Sequence, residues 1–255
     1  MPQVEPDPQL KRTMLEVIKQ EHSLGGERTG IHVSDLTACL TKAYWAKTDP
    51  QQPSDTEIGL WSIGWSLERV IIPRLHVEPF EVDGITMSLD FQLPDGTIAD
   101  LKTTRMAPQG RKGEGGFQMP DSWLRQFAAY RYGWNQRPDL PCLSCGHVHQ
   151  TGKCQTAIPH FCSCPTAVHP TDFGVVVVHL IPAEITCWRV TWTEQELNNL
   201  WVEMLERANV LENLLATGEP HPFQYNLGDW ECRGCSRLTS CQLAGSLERM
   251  KGLMQ

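Results

Sequence analysis

Hydrophobic and polar positions along this chain change period several times, and the changes mark out its elements. Residues 8–22, PQLKRTMLEVIKQEH, carry Leu10, Met14, Val17 and Ile18 on one face at helical spacing. In RTGIHVSDLTACLTKAYW, Ser34 is the expected N-cap of a helix bearing Leu36, Cys39, Leu40 and Tyr44. A polar Pro/Gln stretch, TDPQQPSDT, leads into a further helix over EIGLWSIGWSLERVIIPRL. Strands are then expected near 84–92 and 97–104, joined by Pro94-Asp95-Gly96. The Gly-rich, basic run 106–118 reads as a loop, and PDSWLRQFAAYRYGW as a helix opened by Asp121 or Ser122 and closed at Gly133. Residues 138–170 show no periodicity and read as an insertion. FGVVVVHLIP and ITCWRVTWT read as strands, with Cys187 of the second expected in the core. Thr193 and Glu196 form a capping box for a helix running to about Thr217. This order of elements implies an α/β or α+β core with a mixed sheet.

The hairpin carries the first candidate chemistry. If Leu93 pairs with Thr97, Asp90 stands across from Asp100 and Ser88 across from Lys102. Met87, Leu89 and Phe91 then share the opposite, apolar face with Thr103, Leu101 and Ala99. Directly opposed carboxylates destabilise a sheet unless a cation sits between them. A hard divalent ion such as Mg²⁺, held by one or two carboxylates plus water, meets that need. Lys102 lies two residues beyond Asp100 on the same face, and two acids with a lysine around such an ion suit phosphodiester hydrolysis. Glu68 would add a third acid from a helix. Gln126 and Tyr130 lie one helical turn apart, with Arg125 and Arg131 nearby for phosphate contacts. Each feature also has an ordinary reading: a wet hairpin face, a solvated glutamate, a tyrosine at the edge of the core.

Composition narrows the setting. A chain of 255 residues can bury one sizeable core and carry a small inserted module. The net charge of −8 argues against a generic basic coat for nucleic acid, though not against an enzyme whose carboxylates are neutralised by metal. No apolar run reaches the ~18 residues a membrane span needs, and the polar start MPQVEPDPQLKR is unlike a signal peptide. A cytoplasmic protein is expected. Its ten cysteines then do not read as a disulfide framework, and those clustered at 142–164 and 232–241 read as metal sites. In the insertion, Cys142, Cys145, Cys162 and Cys164 could bind Zn²⁺ tetrahedrally, with Cys154, His147, His149, His160 and His169 as substitutes. A loop-rich module of that size has too little core to order itself without such a staple.

Taken in order, Asp90, Asp100-x-Lys102 and Gln126-x-x-x-Tyr130 resemble the PD-(D/E)XK nuclease core of the RecB type. Cys39 in SDLTAC and the late CRGCSRLTSC resemble the subgroup in which one early cysteine and a C-x2-C-x5-C trio hold a [4Fe–4S] cluster. That subgroup includes the Cas-four-type CRISPR-associated exonuclease and the nuclease domains of related helicase–nucleases. The resemblance covers nearly the whole chain apart from 138–170. It implies a restriction-endonuclease-like mixed central sheet flanked by helices, and a metal-dependent DNA nuclease acting on single strands or ends, 5′-to-3′ in many relatives. Glu68, Asp90, Asp100 and the Leu101 carbonyl would hold Mg²⁺ or Mn²⁺, and Lys102 would be the catalytic lysine. Gln126 and Tyr130 would steady the site and the strand. Cys39, Cys232, Cys235 and Cys241 would hold the cluster, with Cys₄ zinc as the alternative.

The resemblance divides the chain into a helical region (1–58), a nuclease core (59–137), the zinc-type insertion (138–170), remaining core strands and helix (171–218) and a cysteine-cluster region (219–255). Single-stranded DNA is the implied partner, with a CRISPR integration complex or a helicase beside it. The competing reading is a DNA-processing adaptor in which cleavage is secondary. One departure stands out: many relatives carry a histidine in the helix before the first acid, GLWSIGWSLERV has none, and His32 lies far upstream. The number and choice of catalytic ions stay open.

Overall fold

The computed structural model describes residues 7–23, 29–71, 76–108, 116–137, 140, 149–150, 153–154, 169–181, 183–218, 232, 235 and 237–242. Helix α1 (Pro8–Ser23) precedes a short strand β1 (Ile31–His32), a single helical turn α2 (Val33–Leu36), α3 (Leu40–Thr48) and α4 (Asp55–Ile71). Strands β2 (Phe80–Val82), β3 (Ile85–Met87), β4 (Phe91–Gln92) and β5 (Ile98–Thr104) follow, then α5 (Asp121–Asn135). Between residues 138 and 170 lie the two-residue strands β6 (His149–Gln150) and β7 (Lys153–Cys154). The chain continues through β8 (Asp172–His179), β9 (Glu184–Thr191) and α6 (Glu194–Thr217).

The result is an α+β fold with two mixed sheets flanked by helices, where the sequence implies one. The four-stranded sheet has the order β4-β5-β8-β9, with β5 and β8 parallel and the outer pairs antiparallel. The three-stranded sheet has the order β1-β3-β2, with β1 parallel to β3. The strand expected over 84–92 is therefore divided between them. Its far end keeps the predicted register: Phe91 pairs with Ala99 and Gln92 with Ile98. The Leu93 amide donates to the Thr97 carbonyl at 2.8 Å, and Gly96 takes the left-handed conformation (φ +87) the three-residue turn requires. Pairing stops at Asp90 because its Oδ2, rather than a backbone carbonyl, accepts the Leu101 amide at 2.7 Å. A side chain that captures a ladder donor ends the ladder. Residues 88–90 then cross to the other sheet.

Three helix expectations need correction. The segment after Gly30 is not one helix capped by Ser34. α2 starts after His32, whose amide donates to the Asp35 carboxylate at 3.0 Å, and breaks at Thr37–Ala38. Arg207 on α6 donates to the freed carbonyls of Leu36 and Ala38, and Cys39 becomes the N-cap of α3. α5 is capped by Pro120 rather than Asp121 or Ser122. It also runs through Gly133, where a Cβ would meet the Met87 side chain at 2.8 Å; that glycine serves close packing and does not end the helix. Thr193 and Glu196 do form their capping box on α6, which closes on left-handed Gly218.

The main core lies on the Ile98 side of the four-stranded sheet. Phe173, Val175 and Val177 of β8 pack there with Phe127, Tyr130 and Trp134 of α5 and with Trp201, Met204 and Leu211 of α6. Phe127 and Phe173 stack at 5.1 Å. The face expected to enter that core, Phe91, Ala99 and Leu101, makes a separate small cluster with Val178 and Leu67. β5 and β8 approach closely where Ala99 faces Gly174; a Cβ on Gly174 would lie 3.0 Å from that of Ala99. Cys187 is exposed rather than buried, because β9 is an edge strand whose side chains mostly face solvent. Arg131 is also misjudged by sequence: it is buried and donates to Asn135 Oδ1 at 2.6 Å and to the Asp172 carbonyl at 3.3 Å. Asn135 in turn donates to the Pro170 carbonyl at 2.9 Å. Among the described residues no helix is long and apolar enough to cross a membrane.

Candidate active site

Strand β5 places Asp100 and Lys102 on one face by simple alternation. Asp100 is only 1% exposed. The Lys102 ammonium lies 2.7 Å from its Oδ2, an ion pair that opposes the effect of burial on the Asp100 carboxyl. Lys102 also sits 5.5 Å above the Phe127 ring, which holds the long side chain over the sheet. Asp90 reaches the same place from the segment between sheets, with one carboxylate oxygen fixed by the Leu101 amide. Glu68, from the end of α4, completes the group.

Electrostatics show how tightly the acids crowd. Burial, and then the Asp100 charge, push the Asp90 carboxyl up to about 8, against the pull of the Leu101 amide and Lys102. Burial likewise raises Asp100, although Lys102 opposes it. Glu68 is raised by burial and then by Asp100. With all three carboxyls raised despite Lys102, the cluster favours retained protons or a bound cation. The donor set suits Mg²⁺ or Mn²⁺, since Asp90 and Asp100 each keep oxygen valence beyond the contacts described and Mg²⁺ takes its remaining ligands from water. The three acids are not drawn into a finished cage: among the described residues no three of His, Cys, Asp and Glu stand where they could hold one ion.

Gln126 and Tyr130 meet as their spacing implies, with Gln126 Nε2 donating to Tyr130 Oη at 2.9 Å. They flank Phe127, the residue beneath Lys102, so α5 carries them over the Lys102 face of the sheet. Arg125 is ion-paired with Glu203 of α6. Sequence reasoning missed two residues here. A cleft of about 360 Å³ is lined by Glu68 and Asp90 together with Arg69, His76 and Ser88. His76 lies in the aperiodic RLHVEP and is carried to the site by its bridge to Phe91, which has no local sequence signal. His32, remote in sequence, is brought by β1 to within 3.5 Å of Ser88 Oγ.

The second cysteine set also comes together across the chain. Cys241 is raised by burial and then by charge on Cys39, Cys235 and Cys232, so the four thiols are electrostatic neighbours. They do not stand at the spacing of a closed metal site. Arg237 fastens the segment to α3: it pairs with the Asp49 carboxylate at 2.6 Å, donates to the Asp49 carbonyl and lies 5.1 Å over the Trp45 ring. Cys142, Cys145, Cys162 and Cys164 lie outside the described residues.

No family model matches the chain, and no curated protein matches it. Among solved structures, the crystal structure of SSO0001 is similar, with a TM-score of 0.51 and 14% identity over 90% of this chain and 94% of that one. At that identity the likeness speaks for the fold alone.

Proposed function

We propose that this chain is a divalent-metal-dependent deoxyribonuclease acting on single strands or strand ends. The observation that carries the reading is the buried Asp100–Lys102 pair beside Asp90 and Glu68, the last two of which line a cleft open to solvent. A divalent ion bound by Asp90 and Asp100 would supply Lewis acidity toward a phosphate oxygen and a water of lowered pKa. Lys102 neutralises charge that builds on the scissile phosphate and orients the attacking water. Asp100 holds the Lys102 ammonium in place, and the Leu101 amide fixes the Asp90 carboxylate. Glu68 accepts hydrogen bonds from water at the rim. The Gln126–Tyr130 pair braces the strand on the α5 side.

Cys39, Cys232, Cys235 and Cys241 are read as the ligands of a structural [4Fe–4S] cluster, and the insertion cysteines as ligands of Zn²⁺. The mutual influence of the four thiols suits a cluster and Cys₄ zinc alike, and the resemblance favours the cluster. The test is incubation of labelled single-stranded DNA with the protein and Mg²⁺ or Mn²⁺, alongside Asp100→Asn and Lys102→Ala. Loss of cleavage in both variants, with circular dichroism unchanged, supports the assignment; full activity in both overturns it.

A further inference from the structure

A second cleft, of about 520 Å³, opens beside the candidate active site, within the size range of small-molecule sites. The two share His76, Val77 and Pro79 as a common wall, so a strand engaged at the candidate active site can continue into the second cleft. Its floor is aromatic. Phe80 and Trp134 meet edge to face at 5.9 Å, and the Arg137 guanidinium carbon lies 4.3 Å from the centre of the Trp134 ring. That is a stacking distance. A guanidinium seated on an indole offers its outer plane to a further flat group, and unpaired nucleobases stack on such planes.

The charges choose between the parts of a nucleotide. Glu78 and Glu81 line the same cleft as Arg137, which disfavours a phosphate there. A neutral base suits it. The carboxylates and the amides of Gln92 and Gln136 supply acceptors and donors for base edges. We propose that this cleft seats an unpaired nucleobase neighbouring the scissile phosphate, stacked on Arg137. A base inside a duplex cannot enter, so the cleft selects single strands and frayed ends. The inference rests on the nuclease reading and names the substrate class of that same site.

The test is fluorescence anisotropy with a labelled oligothymidylate and, separately, a labelled blunt duplex, both in EDTA to prevent cleavage. Arg137→Ala is expected to weaken oligothymidylate binding about tenfold and leave duplex binding unchanged. Arg137→Lys, which keeps the charge and the stem over Trp134, decides the matter if Arg137→Ala melts early. It is expected to bind as weakly as the alanine variant. Full affinity in the lysine variant, or equal losses for both DNAs, would mean charge alone and overturn the stacking role. Unchanged binding in both variants overturns the cleft. If the unmodified protein cleaves single strands while both variants bind normally, the cleft falls and the nuclease reading stands. If the unmodified protein binds oligothymidylate through Arg137 but never cleaves, the nuclease reading falls and the cleft stands.

Discussion

The carboxylate cluster and the cysteine clasp both gather ionisable groups whose proton affinity burial and crowding raise, but the rise means different things. A carboxyl pushed up to about 8 changes charge state across the neutral range, so Asp90 without a cation retains a proton it would ordinarily lose. A thiol already holds its proton at neutral pH, so raising Cys241 leaves its charge unchanged. The acid cluster is therefore under electrostatic stress without an ion, whereas the thiols are not. The two also differ in how they are assembled. Asp90 and Asp100 come together through one hairpin, while Cys39 and the late cysteines meet across nearly the whole length of the sequence.

The largest effect should come from breaking the acid side. Asp100→Asn removes the partner of Lys102 and a buried charge at once; cleavage in Mg²⁺ should fall by roughly a thousandfold or more with the fold retained. Residual activity near that of the unmodified protein would detach chemistry from this cluster. On the thiol side, Cys235→Ser should remove bound iron or zinc, read by elemental analysis, and lower the melting temperature by several degrees while the carboxylates still bind Mn²⁺. A variant that keeps its metal would show that the late cysteines do not ligate.

A subtler test separates the two kinds of proton retention. The folded pKa of Asp90 lies above its unfolded value, so its contribution to metal-free stability is complete below about 4 and is lost as pH rises toward about 8. Asp90→Asn cannot titrate. In EDTA it should melt above the unmodified protein near pH 8, with the gap closing toward pH 4. Parallel melting curves would contradict the crowding of the acids. The smallest effect is expected from Arg237→Ala. Its Asp49 partner is largely exposed, so the ion pair contributes under about 1 kcal/mol, and thermal melting should shift only slightly while a metal is bound.

Much of the hairpin is legible in the sequence because turn chemistry and alternation act locally. Pro94-Asp95-Gly96 and the apolar positions fix a register that the structure keeps. The division of the strand at Asp90 is not legible, since it depends on a carboxylate taking the Leu101 amide, and that contact leaves no periodic trace. The break between α2 and α3 is hidden for a related reason: its carbonyls are met by Arg207, far along the chain. Gly133 reads as a helix stop until Met87 is seen against it. Strand alternation finds β9, but not that it lies at an edge, and so it misplaces Cys187. Of the candidate site, acids and lysine can be read from spacing, while His76 and Arg69 come from tertiary approach alone.

The contacts from Arg131 and Asn135 to the carbonyls of Asp172 and Pro170 tie the end of α5 to the start of β8. The tie flanks the segment numbered 138–168 on both sides. It holds the two ends of that segment against each other, so the register of β8 on β5 is anchored by residues outside it.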